Sequence, residues 1–510
     1  MVLVYFFVSL FTQSQIGAYD TMWHIRTGDL LLSGQFPHTD IFSYTAYGRE
    51  WILHEWGSEV LFALFYRWSG WNGLVVLRSL IGSITLGVMF RILQKRNVNL
   101  FLAILMTIIF CLELLTIWNT RPHLFSALFF TYLLYLYDAY RRRESRLIYA
   151  LPLLFMLWIN MHGGYVIGFI FLLTALGGES LSLALNLDDQ RTMSPRKLVT
   201  LLAITSVSFL FCFINPLGAK LVFYPLMYLG DKIGDFHNFI TEWQVSSFLN
   251  AAGFIVLVMA TCFFALVSRK KMPLYEVLAV LVFMFLSFKA NRHDVLFAIV
   301  AVPAISPLIE DVLSRFARQW HERTTGWLQT SLGSIRYYFC SRSTSFLKKE
   351  EQLFNPAILA VELLLVLFVS MNVLPPVINA RLLPGQYPTK TLLFLKEHPD
   401  LPGNLFNQYA WGGIIIKELP EKKVFIDGRA DVYQKDIIEK YFNMIALKAN
   451  WKHLLRDYNI TQILVDPNQM MARFLPGIDP NWRVMEKDES SVLLYNGESL
   501  PASTSDTADE

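Results

Sequence analysis

Residues 98–118 read VNLFLAILMTIIFCLELLTIW, an apolar run of membrane-spanning length in which Glu113 is the single charged residue. Similar runs recur along the chain of 510 residues, of which 54% are hydrophobic and 17% charged. A water-soluble protein carries about 25% charged residues, and one membrane span needs roughly 20 mainly apolar residues. The sequence therefore predicts an α-helical polytopic membrane protein with about eleven transmembrane helices.

The loops between these runs predict how the chain is oriented. The predicted spans are 1–18, 72–93, 98–118, 123–140, 147–161, 164–186, 198–214, 251–268, 273–289, 294–310 and 356–377. Lys and Arg are concentrated in the loops that follow every second span, and all of these loops fall on one side. The positive-inside rule makes that side cytoplasmic. We therefore expect a cytoplasmic N-terminus and an extracytoplasmic C-terminus.

Composition also predicts the domains. We expect a transmembrane domain over 1–378, with a first outer loop at 19–71 and a basic cytoplasmic loop at 311–355. From about residue 386 the composition becomes globular, and helix-like and strand-like stretches alternate. This alternation predicts an extracytoplasmic α/β domain over 386–500. KVFIDGRADVY, residues 423–433, is expected to begin with a strand and to continue in a turn held by an internal ion pair, and WRVMEKDESSVLLYNG, residues 482–497, is expected to form a closing hairpin. Residues 501–510 are rich in Ser, Thr and Asp, which predicts a disordered tail.

Ionisable residues are concentrated at the predicted outer ends of the spans. Seven of the eight histidines before residue 386 fall there or in outer loops. Ionisable groups at membrane depth are costly and usually face a cavity or one another. The alternative is that histidine, an amphipathic side chain, anchors helices at the membrane interface. We favour a polar cavity for the whole set.

Spacing selects three catalytic candidates in the first outer loop. Asp20 and His24 are four residues apart, so on a helix they share a face. A carboxylate there can act as general base toward a hydroxyl, with the imidazole holding it. An N-terminal helix cap is an equally good explanation of Asp20. Glu55 is flanked by a histidine and a tryptophan and is a better candidate than Glu59, which we expect on the wet face of its helix.

A second set of polar residues predicts contacts to a substrate or its phosphate. Guanidinium groups bind phosphate bidentately, and a structural ion pair or lipid-headgroup contact is the alternative. The candidates are Arg121, His123, Asn160, His162, Glu242, Arg292 and His293. His and carboxylate side chains are also metal-ligand types, so a divalent metal is compatible, but no compact motif specifies one. No nucleotide-binding motif occurs, and we expect no nucleic-acid partner.

Several blocks of this sequence resemble a known family of membrane enzymes. The first is DTMWHIRTGDLLLSGQFPHTDIFSYTAYGREWILHEW, residues 20–56. Further blocks are RPHLFS, WINMHGG, INPLG, ITEW and FIDGRADVY. They are similar to blocks of a group of bacterial multi-pass proteins related to the GT-C superfamily of glycosyltransferases. That superfamily includes protein mannosyltransferases and arabinosyl- and aminoarabinosyl-transferases.

The resemblance implies transfer of a sugar from a polyprenyl-phosphate carrier on the outer side of the inner (plasma) membrane. The acceptor is then a glycan, a lipid or a protein, and membrane lipids surround the enzyme. An acidic residue in the first outer loop commonly acts as the base in this superfamily, and Asp20 is the matching position. The chain departs from better-known members because Thr21 and Met22 follow Asp20, with no second acidic residue beside it. The alternative function is a non-enzymatic protein that binds or moves a lipid-linked glycan, or an envelope scaffold.

Overall fold

The computed structural model describes residues 20–117, 119–143, 145–187, 192–225, 252–323, 387–448 and 450–496. These residues divide into two compact units. The helical unit holds the described residues between 73 and 323, and the mixed unit holds 20–72 together with 387–496. The first outer loop, which the sequence analysis grouped with the membrane helices, therefore forms one unit with the C-terminal residues.

Two helices form the N-terminal part of the described chain. Helix α1, Thr21–Leu32, ends where Gly34 adopts a left-handed backbone with a φ of 83°. The amides of Gly34 and Gln35 donate to the carbonyl oxygens of Leu31 and Leu30, at 3.0 and 2.9 Å, which satisfies the last turn. Helix α2, Trp56–Lys95, is interrupted at Ser69 and Gly70, whose backbone angles are not helical.

The helical unit consists of the second part of α2 and nine further helices. Their bounds are α3 Leu100–Leu115, α4 His123–Arg143, α5 Leu151–Met161, α6 Tyr165–Ala184, α7 Pro195–Phe211, α8 Ala219–Phe223, α9 Ala252–Val267, α10 Leu274–Lys289 and α11 Asp294–Arg323. Helix α11 packs against α3, α9 and α10, and α10 also packs against α6. Asn99 caps the start of α3, because its side chain accepts a hydrogen bond from the amide of Leu102 at 2.9 Å.

Nine of the predicted spans fall on described residues, and each coincides with a helix. Among the described residues, three helices are long and apolar enough to cross a membrane: Trp56–Lys95, Tyr165–Ala184 and a stretch over Asn291–Gln319. The spans predicted at 1–18 and 356–377, the disordered tail at 501–510 and most of the basic loop lie outside the described residues. The count of eleven spans and the orientation of the chain stay predictions. The basic loop was expected to begin at 311, but α11 continues to Arg323.

Some arginines that the predicted spans place in loops form buried ion pairs inside the helical unit. Arg96 contacts Asp138 at 2.9 Å and Glu276 at 2.8 Å, and all three side chains are almost fully buried. Arg141 is likewise buried against Glu179. Burying a charge is tolerable only when a partner charge and hydrogen bonds compensate it. These arginines therefore hold helices together inside the unit.

The mixed unit contains a four-stranded sheet with helices beside it, as the α/β prediction requires. Its strands are β1 Asn404–Asn407, β2 Ile460–Val465, β3 Trp482–Lys487 and β4 Val492–Asn496, in the order β1-β2-β4-β3. Strands β1 and β2 are parallel, and the other pairs are antiparallel. The helices are α12 Thr389–Glu397, α13 Gly412–Glu418, α14 Ala430–Ile445, α15 Trp451–Asp457 and α16 Met470–Ile478.

One predicted strand is wrong. KVFIDGRADVY, residues 423–433, was expected to begin with a strand, but only Val424 pairs, through a single parallel bridge to Ser43. The amide of Val424 donates to Phe42 O at 3.0 Å, and the amide of Tyr44 donates to Val424 O at 3.1 Å. The Asn407 side chain accepts the next amide, from Phe425, at 2.8 Å. Side-chain bonding replaces a strand ladder, so the apolar run is buried without becoming a strand.

Candidate active site

Asp20 immediately precedes α1, where its carbonyl oxygen accepts the first helical bonds from the amides of Trp23 and His24. Its side chain makes no capping hydrogen bond. An aspartate at this position normally uses its carboxylate to accept an amide of the first turn. The capping explanation for Asp20 is therefore not supported, and the carboxylate has a different environment.

That environment includes the backbone of Gly428. A Cβ atom built on Gly428 would lie 1.7 Å from Oδ1 of Asp20 and 2.6 Å from its Cγ. The carboxylate thus occupies the space that a side chain at position 428 would fill, so any larger residue there would displace it. The segment that reads DGRAD, residues 427–431, lies directly against the proposed base.

A buried ion cluster fixes the conformation of this DGRAD segment. Asp427 accepts hydrogen bonds from Nε and Nη2 of Arg429 at 2.9 and 2.7 Å, and from the hydroxyl of Tyr433 at 2.6 Å. Arg429 Nη2 also contacts Oδ1 of Asp40 at 2.8 Å. The guanidinium carbon lies 4.6 Å from the ring centre of Trp51. The internal ion pair predicted for this turn is present, and Asp40 is a partner that the sequence analysis missed.

The surroundings of Arg429 favour the positively charged form of its guanidinium group. Burial alone disfavours the charged guanidinium, but the carboxylates of Asp427 and Asp40 raise the pKa of Arg429 well above its ordinary value. Asp40 is itself ordered by the loop around it, because its carboxylate accepts the amides of Phe42 and Ser43 at 3.2 and 3.1 Å. The cluster joins two segments of the first outer loop to one C-terminal turn within the mixed unit.

His24 lies between two carboxylates. Its Nδ1 is 3.1 Å from Oε1 of Glu59, and its Nε2 is 3.8 Å from Oε2 of Glu55. His54 also approaches Glu55, at 3.6 Å. The structure therefore brings the candidates His24 and Glu55 together. A hydrogen bond to the carboxylate of Glu59 orients the imidazole toward Glu55.

The expectation for Glu59 is wrong. We expected it on the wet face of its helix, but it is completely buried. The reason is the close approach of α1 and α2 at Gly28, where an added Cβ would lie 2.0 Å from the carbonyl oxygen of Glu59. This approach covers the first turn of α2 and brings Glu59 to His24. The signal available in the sequence was the four-residue spacing from Glu55 and the glycine on the facing helix.

The predicted phosphate-contacting residues that the structure describes belong to the helical unit. Arg121 lies just before α4, and Arg292 lies in a one-turn 3-10 helix, Asn291–His293, before α11. His293 Nδ1 is 3.0 Å from Leu286 O, and His123 Nε2 is 2.9 Å from Ile117 O. Both histidines therefore contact backbone carbonyl groups next to their helix ends. Glu242 lies outside the described residues.

His162 and Asn160 are held at the end of α5. The amide of Gly164 donates to His162 Nδ1 at 3.0 Å, and Ser126 Oγ lies 2.7 Å from the same nitrogen. Trp158 Nε1 donates to that serine oxygen at 2.7 Å. The Asn160 amide donates to the carbonyl oxygens of Met156 and Ile214, at 2.7 and 3.0 Å. These contacts orient both side chains, and their predicted contact with substrate remains untested.

Within the described residues, no group of three His, Cys, Asp or Glu side chains has an arrangement that could hold a metal ion. No protein-family model matches the chain, and no curated protein matches its sequence.

Comparison with solved structures identifies the fold. The oligosaccharyltransferase AglB of Archaeoglobus fulgidus, in complex with an inhibitory peptide and a dolichol-phosphate, matches with a TM-score of 0.53 and 13% identity, over 91% of this chain and 69% of AglB. The same organism's oligosaccharyltransferase tethered to an acceptor peptide matches with a TM-score of 0.52 and 12% identity, over 98% and 74% of the two chains. ArnT from Cupriavidus metallidurans, bound to undecaprenyl phosphate, is 14% identical over 98% of both chains, and its TM-score of 0.46 is too low to support the assignment. The chain thus shares the fold of the oligosaccharyltransferase AglB, and the resemblance seen in the sequence is confirmed at the level of fold.

Proposed function

We propose that this protein is a membrane glycosyltransferase that moves a sugar from a polyprenyl-phosphate donor to a glycan, lipid or protein acceptor. The GT-C fold supports this class of reaction, and one AglB structure holds a dolichol-phosphate. We further propose that the reaction takes place at the outer face of the inner (plasma) membrane, with the C-terminal residues extracytoplasmic.

The observation that carries this proposal is the environment of Asp20. Its carboxylate is at the start of a helix, caps nothing, and lies against a glycine of a rigid turn. A general base must be held in one position relative to the proton that it abstracts. The ion cluster around Arg429 supplies that rigidity.

The proposed transfer is a single displacement at the anomeric carbon of the sugar. Asp20 takes the proton of the acceptor hydroxyl while the oxygen of that hydroxyl forms a bond to the anomeric carbon. The bond between the anomeric carbon and the donor phosphate oxygen breaks, and the polyprenyl phosphate leaves with the bonding electrons. His24, oriented by Glu59, supports Asp20 from one helical turn away, and Glu55 positions a sugar hydroxyl.

Negative charge grows on the phosphate as the bond breaks, and positively charged or hydrogen-bond-donating groups placed there lower the barrier. We propose that Arg121, His123 and Arg292 provide this stabilisation. The remaining polar candidates would contact the sugar or the donor phosphate, and these are Asn160, His162, Glu242 and His293. A divalent metal at the phosphate is a further proposal, for which the described residues offer no cluster of three ligands.

Mass spectrometry of cell-envelope lipids and glycans tests the function. The strains are wild type, a deletion, and the deletion complemented with Asp20→Asn or with Asp457→Asn. Asp457 is exposed at the end of α15, so its variant makes the same chemical change away from the candidate site. We expect one saccharide to be lost in the deletion and in Asp20→Asn, and kept in Asp457→Asn, at equal protein levels.

Two other outcomes separate the alternatives. Loss of the saccharide in the deletion but not in Asp20→Asn would remove Asp20 as the base and favour a protein that binds or moves the glycan. An unchanged envelope in every strain would favour a scaffold.

A further inference from the structure

An open groove of about 520 Å³ lies on the mixed unit, and none of the residues that line it is among those proposed for transfer. One wall is a single face of α1, formed by Arg26, Asp29, Leu30 and Ser33 at helical spacing. The other walls come from two helices and are formed by Tyr66, Arg67 and Lys417. Side chains from three helices therefore converge on one space.

The groove is positively charged. Three of its lining residues are cations and one is an anion, which leaves an excess of two positive charges. Arg67 Nε and Lys417 Nζ contact different oxygens of Asp29, at 2.7 and 2.6 Å. Asp29 thus orients both cations while each retains further N–H donors, because lysine carries three and arginine five.

Arg26 provides the independent observation that points to a ligand. Its Nε is buried and has no hydrogen-bond partner among the residues that the structure describes. A buried donor on a charged group is costly when it is left without an acceptor. Arg26 lines the groove, so an anion bound there would pair with a guanidinium charge that has no carboxylate partner among the residues that the structure describes.

We propose that this groove binds a phosphate group. A tetrahedral oxyanion presents several acceptor oxygens at once, which suits two guanidinium groups and an ammonium that approach from different helices. The phosphate is carried either by a lipid headgroup or by a small soluble molecule. The groove shares no residue with the set proposed to contact the donor phosphate, and the proposal does not depend on the transfer reaction.

Titration of the purified full-length chain with inorganic phosphate tests the proposal. Binding is measured in neutral detergent by calorimetry, with ionic strength held constant by chloride. We expect saturable binding that Arg26→Gln and Arg67→Gln each weaken by about tenfold or more, the loss expected when a charged hydrogen bond is removed. Arg483→Gln, on an exposed residue of β3, is the matched control and should bind as the wild type does.

A second titration identifies the source of the phosphate. The chain is placed in phosphatidylcholine nanodiscs with or without phosphatidic acid. Loss of inorganic phosphate binding in the discs that contain phosphatidic acid would identify a lipid headgroup, and unchanged binding would identify a soluble ligand. Absence of saturable binding, or binding that neither arginine variant weakens, would overturn the proposal. Arg67 is 53% exposed, so its variant gives a result even if Arg26→Gln does not fold.

Discussion

Gly428→Ala should slow sugar transfer strongly while leaving the protein folded. The added Cβ would lie 1.7 Å from Oδ1 of Asp20, whereas ordinary contacts begin at 3.4 Å. Oδ1 of Asp20 must therefore move by about 1.7 Å, the difference between these two distances. A displacement of about 1 Å can reduce a rate by roughly 100-fold, which corresponds to about 2.7 kcal/mol of activation free energy.

The effect on stability should be smaller than the effect on activity. The obstructing atoms belong to the end of a side chain, so Asp20 can rotate aside instead of forcing the backbone apart. The assay compares the saccharide made by the complemented deletion strain with the thermal unfolding midpoint of the purified variant. Gly477→Ala is the matched control, because no heavy atom lies within 4 Å of its Cβ position.

Either of two results would refute this reasoning. Undiminished transfer by Gly428→Ala would mean that Asp20 does not need its observed position. Equal loss of transfer in Gly477→Ala would mean that any change in this unit impairs the protein. A further check is the double variant with Asp20→Ala, in which Gly428→Ala should cost almost no additional stability because the clashing carboxylate is gone.

Three other substitutions should act mainly on stability, measured by thermal unfolding of the full chain. Gly412→Ala should destabilise by about 1–3 kcal/mol, because its Cβ would lie 2.3 Å from the carbonyl oxygen of Ile426, a backbone atom that cannot rotate away. Gly28→Ala should cost a similar amount and should also impair transfer, because it separates α1 from α2. Arg429→Met should cost about 3–5 kcal/mol, because it leaves the buried carboxylates of Asp40 and Asp427 without their cation.

Each of these predictions has a result that contradicts it. Gly412→Ala with an unchanged unfolding midpoint would show that the backbone contact relaxes easily. Gly28→Ala with normal transfer would separate the packing of the two helices from the reaction. An Arg429→Met variant as stable as the wild type would mean that the ion cluster contributes nothing net to folding.

Local patterns predicted much of the fold. Apolar runs located the helices of the helical unit, because the hydrophobic signal of a long helix is contained in its own sequence. The closing hairpin of β3 and β4 was also predicted from neighbouring residues. The stretch around Val424 was misassigned because its hydrogen bonds come from first-loop residues and from the side chain of Asn407, partners that are remote in sequence.

The candidate site was predicted only in part, for the same reason. Asp20, His24 and Glu55 could be proposed from spacing within one loop. The partner of His24 is Glu59, and the contact depends on the close approach of two helices at Gly28. No local pattern in the sequence predicts that Asp40, from the first outer loop, would meet Arg429 in the C-terminal part of the chain.

The amount of sugar linked to polyprenyl phosphate is the measurement that tests most directly whether Asp20 is the base of a transfer reaction. We would extract lipids from cells that carry wild-type protein or Asp20→Asn and quantify the linked sugar by mass spectrometry, together with the glycosylated product. If Asp20 is the base of a transfer reaction, the linked sugar should accumulate in the variant as the product disappears, with the variant present at wild-type level. Wild-type amounts of both the linked sugar and the glycosylated product in the Asp20→Asn cells would contradict this role of Asp20.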